Sequence, residues 1–434
     1  MRRVFLFGFG LLAVAVFGAP ASFGHNRQSS ETVLYSFCDQ SNCADGREPL
    51  STVTLDGQGN IFGATVIGGG GPSDVCGSSG CGTIFEIRQR HGFPSYHHVY
   101  SFCSQKNCTD GAAPIGALVR DVAGNLYGVT QGQGKYGWGT VFKITPKGKL
   151  NILHAFCAKD SCSDGAEPSS FSVDLTYAGA NSGQLYDGVS PLYGTTRVGG
   201  NFNSGTIYKL EPTDKAKWKY TVLYRFCSLA NCADGAQPDG MIADDSGTLY
   251  GQTASVNGFG TVFKFSGSTF SVLYTFCSQS NCTDGNKPRG GVAVDKSGNV
   301  FGITQEGGSA NKGVLYEVTA AGGFSVLHSF CSVGDCTDGM TPVASPVLDK
   351  SGNLYGTTAG GGTLGSRNGG GTVYRYKGTN YQVLYNFCPD FPTCSDGASP
   401  NTPVTLDSTG NIFGTTVSGG TTFGGNGTVF EVLH

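Results

Sequence analysis

The chain has 434 residues, with 28 Lys and Arg against 31 Asp and Glu, for a formal charge of −3. That balance excludes the clustered basic groove a nucleic acid requires, so no nucleic-acid partner is expected. Only 14% of residues are charged, 11% are aromatic and 70 are glycine, which suits packed sheets joined by tight turns rather than disorder.

The chain opens with Met1-Arg2-Arg3, an apolar run from Val4 to about Val16, and Ala19-Pro20-Ala21. A positive start, a short apolar centre and an A-x-A end read as a secretory signal peptide, residues 1–21, cleaved after Ala21. The apolar run is short for a spanning helix, and no later stretch approaches membrane-spanning length, so no membrane span is expected after cleavage. Residues 22–434 then form one domain.

Within it one phrase recurs seven times: an apolar strand ending in Phe-Cys, then a short loop ending Cys-x-Asp-Gly-x-x-Pro. The copies start at Cys38, Cys103, Cys157, Cys227, Cys277, Cys331 and Cys388, and close at Cys43, Cys108, Cys162, Cys232, Cys282, Cys336 and Cys394. A period of 50 to 70 residues marks an array of one supersecondary unit. With Cys76 and Cys81, all 16 cysteines fall into close pairs, which in an exported chain reads as disulfides. Zinc is the rival, but nearby His ligands are missing from nearly every copy. Local pairing is the simplest connectivity, each bridge contributing about 2 kcal/mol by closing a short loop.

The fifth unit shows the pattern. Gly291–Asp295, Asn299–Thr304, Gly313–Val318 and Phe324–Phe330 are four short runs rich in Val, Phe and Tyr, each bounded by turn residues. We label them strands A to D. Strand B carries Gly-x-Thr in every copy, from Gly63/Thr65 to Gly414/Thr416, which suggests seven sheets converging where a side chain does not fit. Strand C opens with Gly-Thr in six copies, Gly313-Val314 being the exception. The A–B turn is mostly Asp-x-x-Gly-Asn, turn chemistry rather than a metal site.

No helical period of useful length follows the signal peptide. The expected fold is all-β: a seven-bladed β-propeller of four-stranded blades. Only strands A to C of a seventh unit fit at the C-terminus (Thr402–Asp407, Asn411–Thr416, Gly427–Val432). The missing D strand lies at the other end, as Thr32–Phe37, so the N-terminal strand is expected to pair with the C-terminal blade and close the ring.

In such a blade the B–C loop and the D–A connection leave at the same end, so the cysteine loops and the Gly-rich B–C loops share one face, the expected binding face. Its B–C loops carry Tyr136 and Trp138 in the second unit, Phe202 in the third, Phe259 in the fourth and Phe423 in the seventh. Such rings could stack on sugars or hold another amphipathic ligand; alternatively, each folds onto its own loop. The seven Asp-Gly aspartates, Asp45 to Asp396, read as turn residues, since each loop offers one dependable carboxylate to a metal. Around the loop prolines the copies diverge to Glu48, Glu167, Gln237, Asp239, Lys287, Arg289 and Asn401. Asp239 and Arg289 match in position on neighbouring blades, so they could pair or address a polar ligand, and Glu167 with Asp239 could do acid–base work on a glycoside. His154 and His328 replace a Tyr of strand D and read as packing. Two excursions, Ala178–Ser190 and Ala359–Gly370, break the repeat as partner contacts or tolerated insertions.

"GNLYGTTAGGG" from Gly352, "GTVFKI" from Gly139 and "SVLHSF" from Ser325 resemble the GloVer tandem repeat of exported bacterial proteins. The resemblance spans all seven units and implies a propeller-like fold, with no catalytic residues to carry over. Many members of that family carry a C-terminal sorting anchor, whereas this sequence stops at His434, so secretion or periplasmic residence is expected rather than anchoring.

The functional expectation is an exported, disulfide-clipped binding module for an extracellular glycan or protein on the cysteine-loop face. It is expected to be a monomer with no cofactor and no metal. The site residues are Tyr136, Trp138, Phe202, Phe259, Phe423, Asp239 and Arg289. The competing readings are a polysaccharide lyase or glycosidase using channel-mouth carboxylates, and a structural envelope protein.

Overall fold

The computed structural model describes residues 29–71, 73–90, 93–168, 174–213, 217–255, 259–363, 369–422 and 425–433. Residues 1–21, expected to be a signal peptide, and Phe423 lie outside them. Seven separate antiparallel sheets follow one another in the strand order A-B-C-D, the topology of a seven-bladed propeller. Strand A is short: blade 1 has Thr54–Leu55 and blade 6 Val347–Leu348, while blades 2 and 4 extend it to Ala112–Arg120 and Ala236–Ala243. Blade 5 splits it into Asn286–Pro288 and Ala293–Val294.

The ring closes as the sequence expects. Glu31–Ser36 pairs with Thr428–Val432, Val33 opposite Phe430, and completes the sheet of Ile412–Thr416 and Thr405–Leu406. A Cβ on Gly427 would lie 2.6 Å from Pro49 of the first blade's loop, the same close approach that Gly205 makes to Pro238. Side-chain hydroxyls also tie strand A of one blade to the next, as Thr54 donates to the Leu118 carbonyl at 2.6 Å and Thr405 to that of Val53 at 2.5 Å.

One expectation is corrected. The Gly of Gly-x-Thr does not mark a convergence of seven sheets. A Cβ on Gly63 would sit 2.5 Å from Cζ of Phe85, its cross-strand neighbour in the same blade. The missing side chain lets a strand-C ring lie flat over strand B, and a glycine paired this way gains the packing it lacks. The Phe of the preceding Phe-Cys then meets that ring edge-on across the blade boundary. Phe226 and Phe263 are 5.3 Å apart and Phe276 and Tyr316 5.0 Å, every one at most 1% exposed. The Phe–ring–Gly stack recurs at every boundary and forms the core.

Helix is confined to loops. Six cysteine loops contain a single 3-10 turn ending on the second cysteine, such as Ser41–Cys43, and one α-turn spans Ser73–Cys76. Among the described residues no helix is long and apolar enough to cross a membrane.

The third blade's insertion has a structural role. Tyr186 is fully buried against Tyr127 of blade 2, the Gly179 amide donates to Asp244 of blade 4, and Asn181 reaches the Val294 carbonyl of blade 5 at 2.8 Å. The insertion therefore crosses the end of the channel opposite the cysteine loops.

Candidate functional site

The cysteine-loop face is built on a frame that each blade repeats. All eight cysteine pairs are local disulfides, seven of them with Cα atoms 4.0–4.1 Å apart. Both cysteines of every repeat loop take left-handed φ, between 48° and 64°, which costs energy for a non-glycine residue. The Asp-Gly aspartate offsets that cost. Asp234 accepts the Ser228 and Leu229 amides at 2.8 and 3.1 Å and the Tyr224 hydroxyl at 2.7 Å. The other six aspartates are buried in equivalent places, so these carboxylates belong to the loops. Cys76, Cys81 and Cys103 bring their sulfurs within 4.8 Å of one another, yet each is in a disulfide and offers no thiolate to a metal.

The histidines do more than pack. His328 replaces the tyrosine's hydrogen bond, its Nε2 lying 3.1 Å from Asp338, and stacks at 3.7 Å on Tyr381 of the next blade. His154 stacks likewise on Tyr220 and places Nε2 3.4 Å from Asp164, outside hydrogen-bond geometry. Burial lowers the pKa of both rings and outweighs the neighbouring aspartate.

The B–C loops lie on this same face, and in six blades the described residues show one hydrogen-bonding to the second cysteine of its cysteine loop. Gly134 donates to the Cys108 carbonyl and Gly200 to that of Cys162, both at 3.0 Å. From these loops Tyr136, Trp138, Phe202 and Phe259 project, 41%, 42%, 59% and 40% exposed. Lys135 sits over the Tyr136 ring at 5.1 Å. Backbone bonds tie Trp138 to the next blade's loops: the Glu167 amide donates to the Trp138 carbonyl at 3.1 Å and the Arg197 amide to the Glu167 carbonyl at 3.0 Å. No ring contact among the described residues joins rings of different loops.

Sequence reasoning missed four further exposed apolar side chains on this face: Val75, Leu229, Val333 and Phe391. Leu229 and Val333 stand where four sister loops carry Gln or Lys, a departure that could have flagged them. A cavity of about 630 Å3 opens between the seventh blade's two loops, lined by Pro392, Thr393, Thr421 and Thr422 among others.

At the channel mouth the structure brings Asp239 and Arg289 together, Nη1 to Oδ2 at 3.4 Å. Asp239 is buried and also accepts the Gly290 amide at 3.2 Å; desolvation raises its pKa against the opposing pull of Arg289, Gly290 and Arg197. Gln252, also missed, donates to the Arg289 carbonyl and, at 2.9 Å, to that of Gly290, and accepts the Tyr316 hydroxyl at 2.6 Å.

The Gloeobacter/Verrucomicrobia repeat model matches residues 21–190 and 256–433, well over half the sequence. The chain belongs to that repeat family. Residues 191–255, which the family model leaves unmatched, fold as the same repeat and carry Arg197, Phe202 and Asp239. No curated protein matches the sequence. Among solved structures, the extracellular domain of a hybrid two-component system from B. thetaiotaomicron is similar, with a TM-score of 0.51 and 13% identity. The match covers 93% of this chain and 41% of that one. A puromycin-hydrolyzing peptidase from Mycobacterium tuberculosis matches at a TM-score of 0.39 and 11% identity, over 89% of this chain and 60% of that one. The repeat chain thus spans under two thirds of either structure's length, and at 13% identity the likeness to the first is one of fold alone.

Proposed function

We propose that this repeat protein is an extracellular or periplasmic binding module that holds a glycan on its cysteine-loop face. The observation that carries the reading is where the exposed apolar surface lies. Of the fourteen large hydrophobic side chains exposed among the described residues, eight sit on that face, Val75, Tyr136, Trp138, Phe202, Leu229, Phe259, Val333 and Phe391, while Phe93, Val122, Leu185, Val189, Val326 and Leu433 lie elsewhere. Exposed apolar groups gathered on one face mark an interaction surface. Their loops are stiffened by disulfides, buried aspartates and bonds to the next blade, so little ordering entropy is lost on binding. Flat rings among polar, Gly-rich backbone suit the alternating apolar and hydroxylated faces of a sugar.

The eight disulfides fit an oxidising compartment. A hydrolase reading needs a carboxyl group that substrate can reach, and Asp239 is 4% exposed, which favours a positioning role for it. A panel of bacterial and plant polysaccharides in affinity electrophoresis tests the proposal. Retardation by at least one polymer, lost in Trp138→Ala with unchanged melting, is the expected result. Retardation by none, or retardation that Trp138→Ala leaves intact, would refute it.

A further inference from the structure

We propose that Arg197 and Arg289 form a receptor for a carboxylate of the bound glycan, making the ligand a uronic-acid polysaccharide. This rests on the glycan reading above and narrows it. Two register positions flank the channel mouth in each blade: the residue after Gly-x-Thr and the residue after the loop proline. Among the described residues, charge occurs there only on blades 3 to 5, as Arg197, Asp239 and Arg289. Elsewhere these two positions hold uncharged side chains such as Val66, Leu50, Ile115, Val343 and Val417, so charge at them is confined to one side of the ring.

The ionic side is built for an anion. Asp239 is sealed from solvent and acts on Arg289 rather than on a ligand, accepting Nη1 at 3.4 Å and the next residue's amide at 3.2 Å. Gln305 takes Nε of Arg289 at 3.4 Å, and Gln252 holds the Arg289 carbonyl from the blade behind. Fixed at main chain and side chain, the Arg289 side chain remains 25% exposed. A pre-oriented guanidinium of this kind suits charge-assisted hydrogen bonding to a carboxylate.

Arg197 lies beside the loop proline that precedes Asp239: a Cβ on Gly205 would sit 2.6 Å from Pro238 and 3.0 Å from the Arg197 carbonyl, and the Arg197 charge opposes the raised pKa of Asp239. Among the described residues the Arg197 side chain makes no ion pair within 4.0 Å, whereas the neighbouring Lys287 and Glu306 satisfy each other at 2.6 Å. Arg289 thus pairs with the one buried carboxylate, and Arg197 stands beside it with no ion pair among the described residues.

The surroundings favour a sugar acid over an acidic peptide. Phe202 lies five residues beyond Arg197 in one loop, and Trp138 is tied to Arg197 through the two backbone bonds of Glu167. A uronate offers a ring face for the aromatics and a carboxylate for the arginines.

Affinity electrophoresis with polygalacturonate and hyaluronate, each beside its carboxyl-reduced counterpart, and with poly-glutamate tests this. The wild type should be retarded by at least one uronate polymer and about tenfold less by its reduced form. Arg197→Gln should lose a similar factor on the uronate while leaving the reduced polymer's binding unchanged. The double variant Arg289→Gln/Asp239→Asn, which leaves no unpaired buried carboxylate, should behave the same way. Trp138→Ala should weaken both polymers alike. Equal binding of uronate and reduced polymer would overturn the carboxylate assignment and leave the glycan reading standing. Poly-glutamate binding as tightly as the uronates and indifferent to Trp138 would overturn it in favour of an acidic protein partner. Retardation by none of them, neutral polysaccharides included, would overturn both.

Discussion

Phe37 meets Phe85 edge-on, ring centroids 5.0 Å apart, and so joins the first described strand to the first blade. The contact repeats that of Phe387 with Phe430 at 4.9 Å, although Phe37 directly follows the strand that completes the last sheet. The two ends of the chain are thus held by the interaction that holds every internal boundary. Phe37→Ala should cost about 3–5 kcal/mol, as much as Phe226→Ala within the ring. Urea denaturation of the two variants checks this; a Phe37→Ala cost near zero would mean the ring is held elsewhere.

Glu31 lies in the closing strand at the position where Tyr96, Tyr220, Phe270, Phe324 and Tyr381 receive a stacked ring from the blade before. Burial, with Asp396 nearby, raises its pKa from 4.5 to about 8, and its Oε1 finds no hydrogen-bond partner. The folded protein therefore keeps a proton that the unfolded chain releases. This stabilisation is complete below pH 4.5 and is lost as pH rises through about 8. Glu31→Gln should raise the melting temperature at pH 8 by roughly 1–3 °C and leave it nearly unchanged at pH 4. Calorimetry across that range decides, and an equal shift at both pH values would exclude the linkage.

His154 gives the opposite slope. Its lowered pKa means that the folded state keeps the ring neutral while the unfolded chain takes up a proton. That stability is present above pH 6.5 and falls as pH drops below it. His154→Tyr, which supplies a hydroxyl where Tyr224 reaches Asp234 at 2.7 Å, should raise the melting temperature at pH 5 by roughly 1–3 °C more than at pH 7.5.

The Asp-Gly carboxylates are filled by their own loops, so chelation should not matter. EDTA should leave the melting temperature within about 1 °C, because only a bound metal adds stability by mass action. Asp234→Asn should cost about 1–3 kcal/mol, since an amide turns a donor toward amides that need an acceptor. A large drop with EDTA would reverse the assignment.

Blade count, strand order and closure were legible because each unit restates the same pattern, so misreading one copy could not shift the others. The Phe–ring–Gly stack was not: Gly63 and Phe85 stand 22 residues apart, and their pairing depends on strand register. The insertion near Tyr186 was invisible as a channel cover because its contacts are to three other blades. At the site, Asp239 and Arg289 were found by comparing copies at one position. Arg197 was missed because it sits at a second register position that lies beside the first only once the blades are arranged in a ring. Leu229 and Val333 were missed because a lone apolar residue in a loop carries no period.

Trp138 and Trp218 are the only tryptophans, so a Trp218→Phe variant makes Trp138 the sole reporter on the cysteine-loop face. Its emission, followed while the retarding polysaccharide is titrated, tests the binding face most directly. The account predicts a saturable shift whose midpoint equals the calorimetric Kd. An unchanged spectrum under conditions where calorimetry records full binding would place the ligand elsewhere and contradict it.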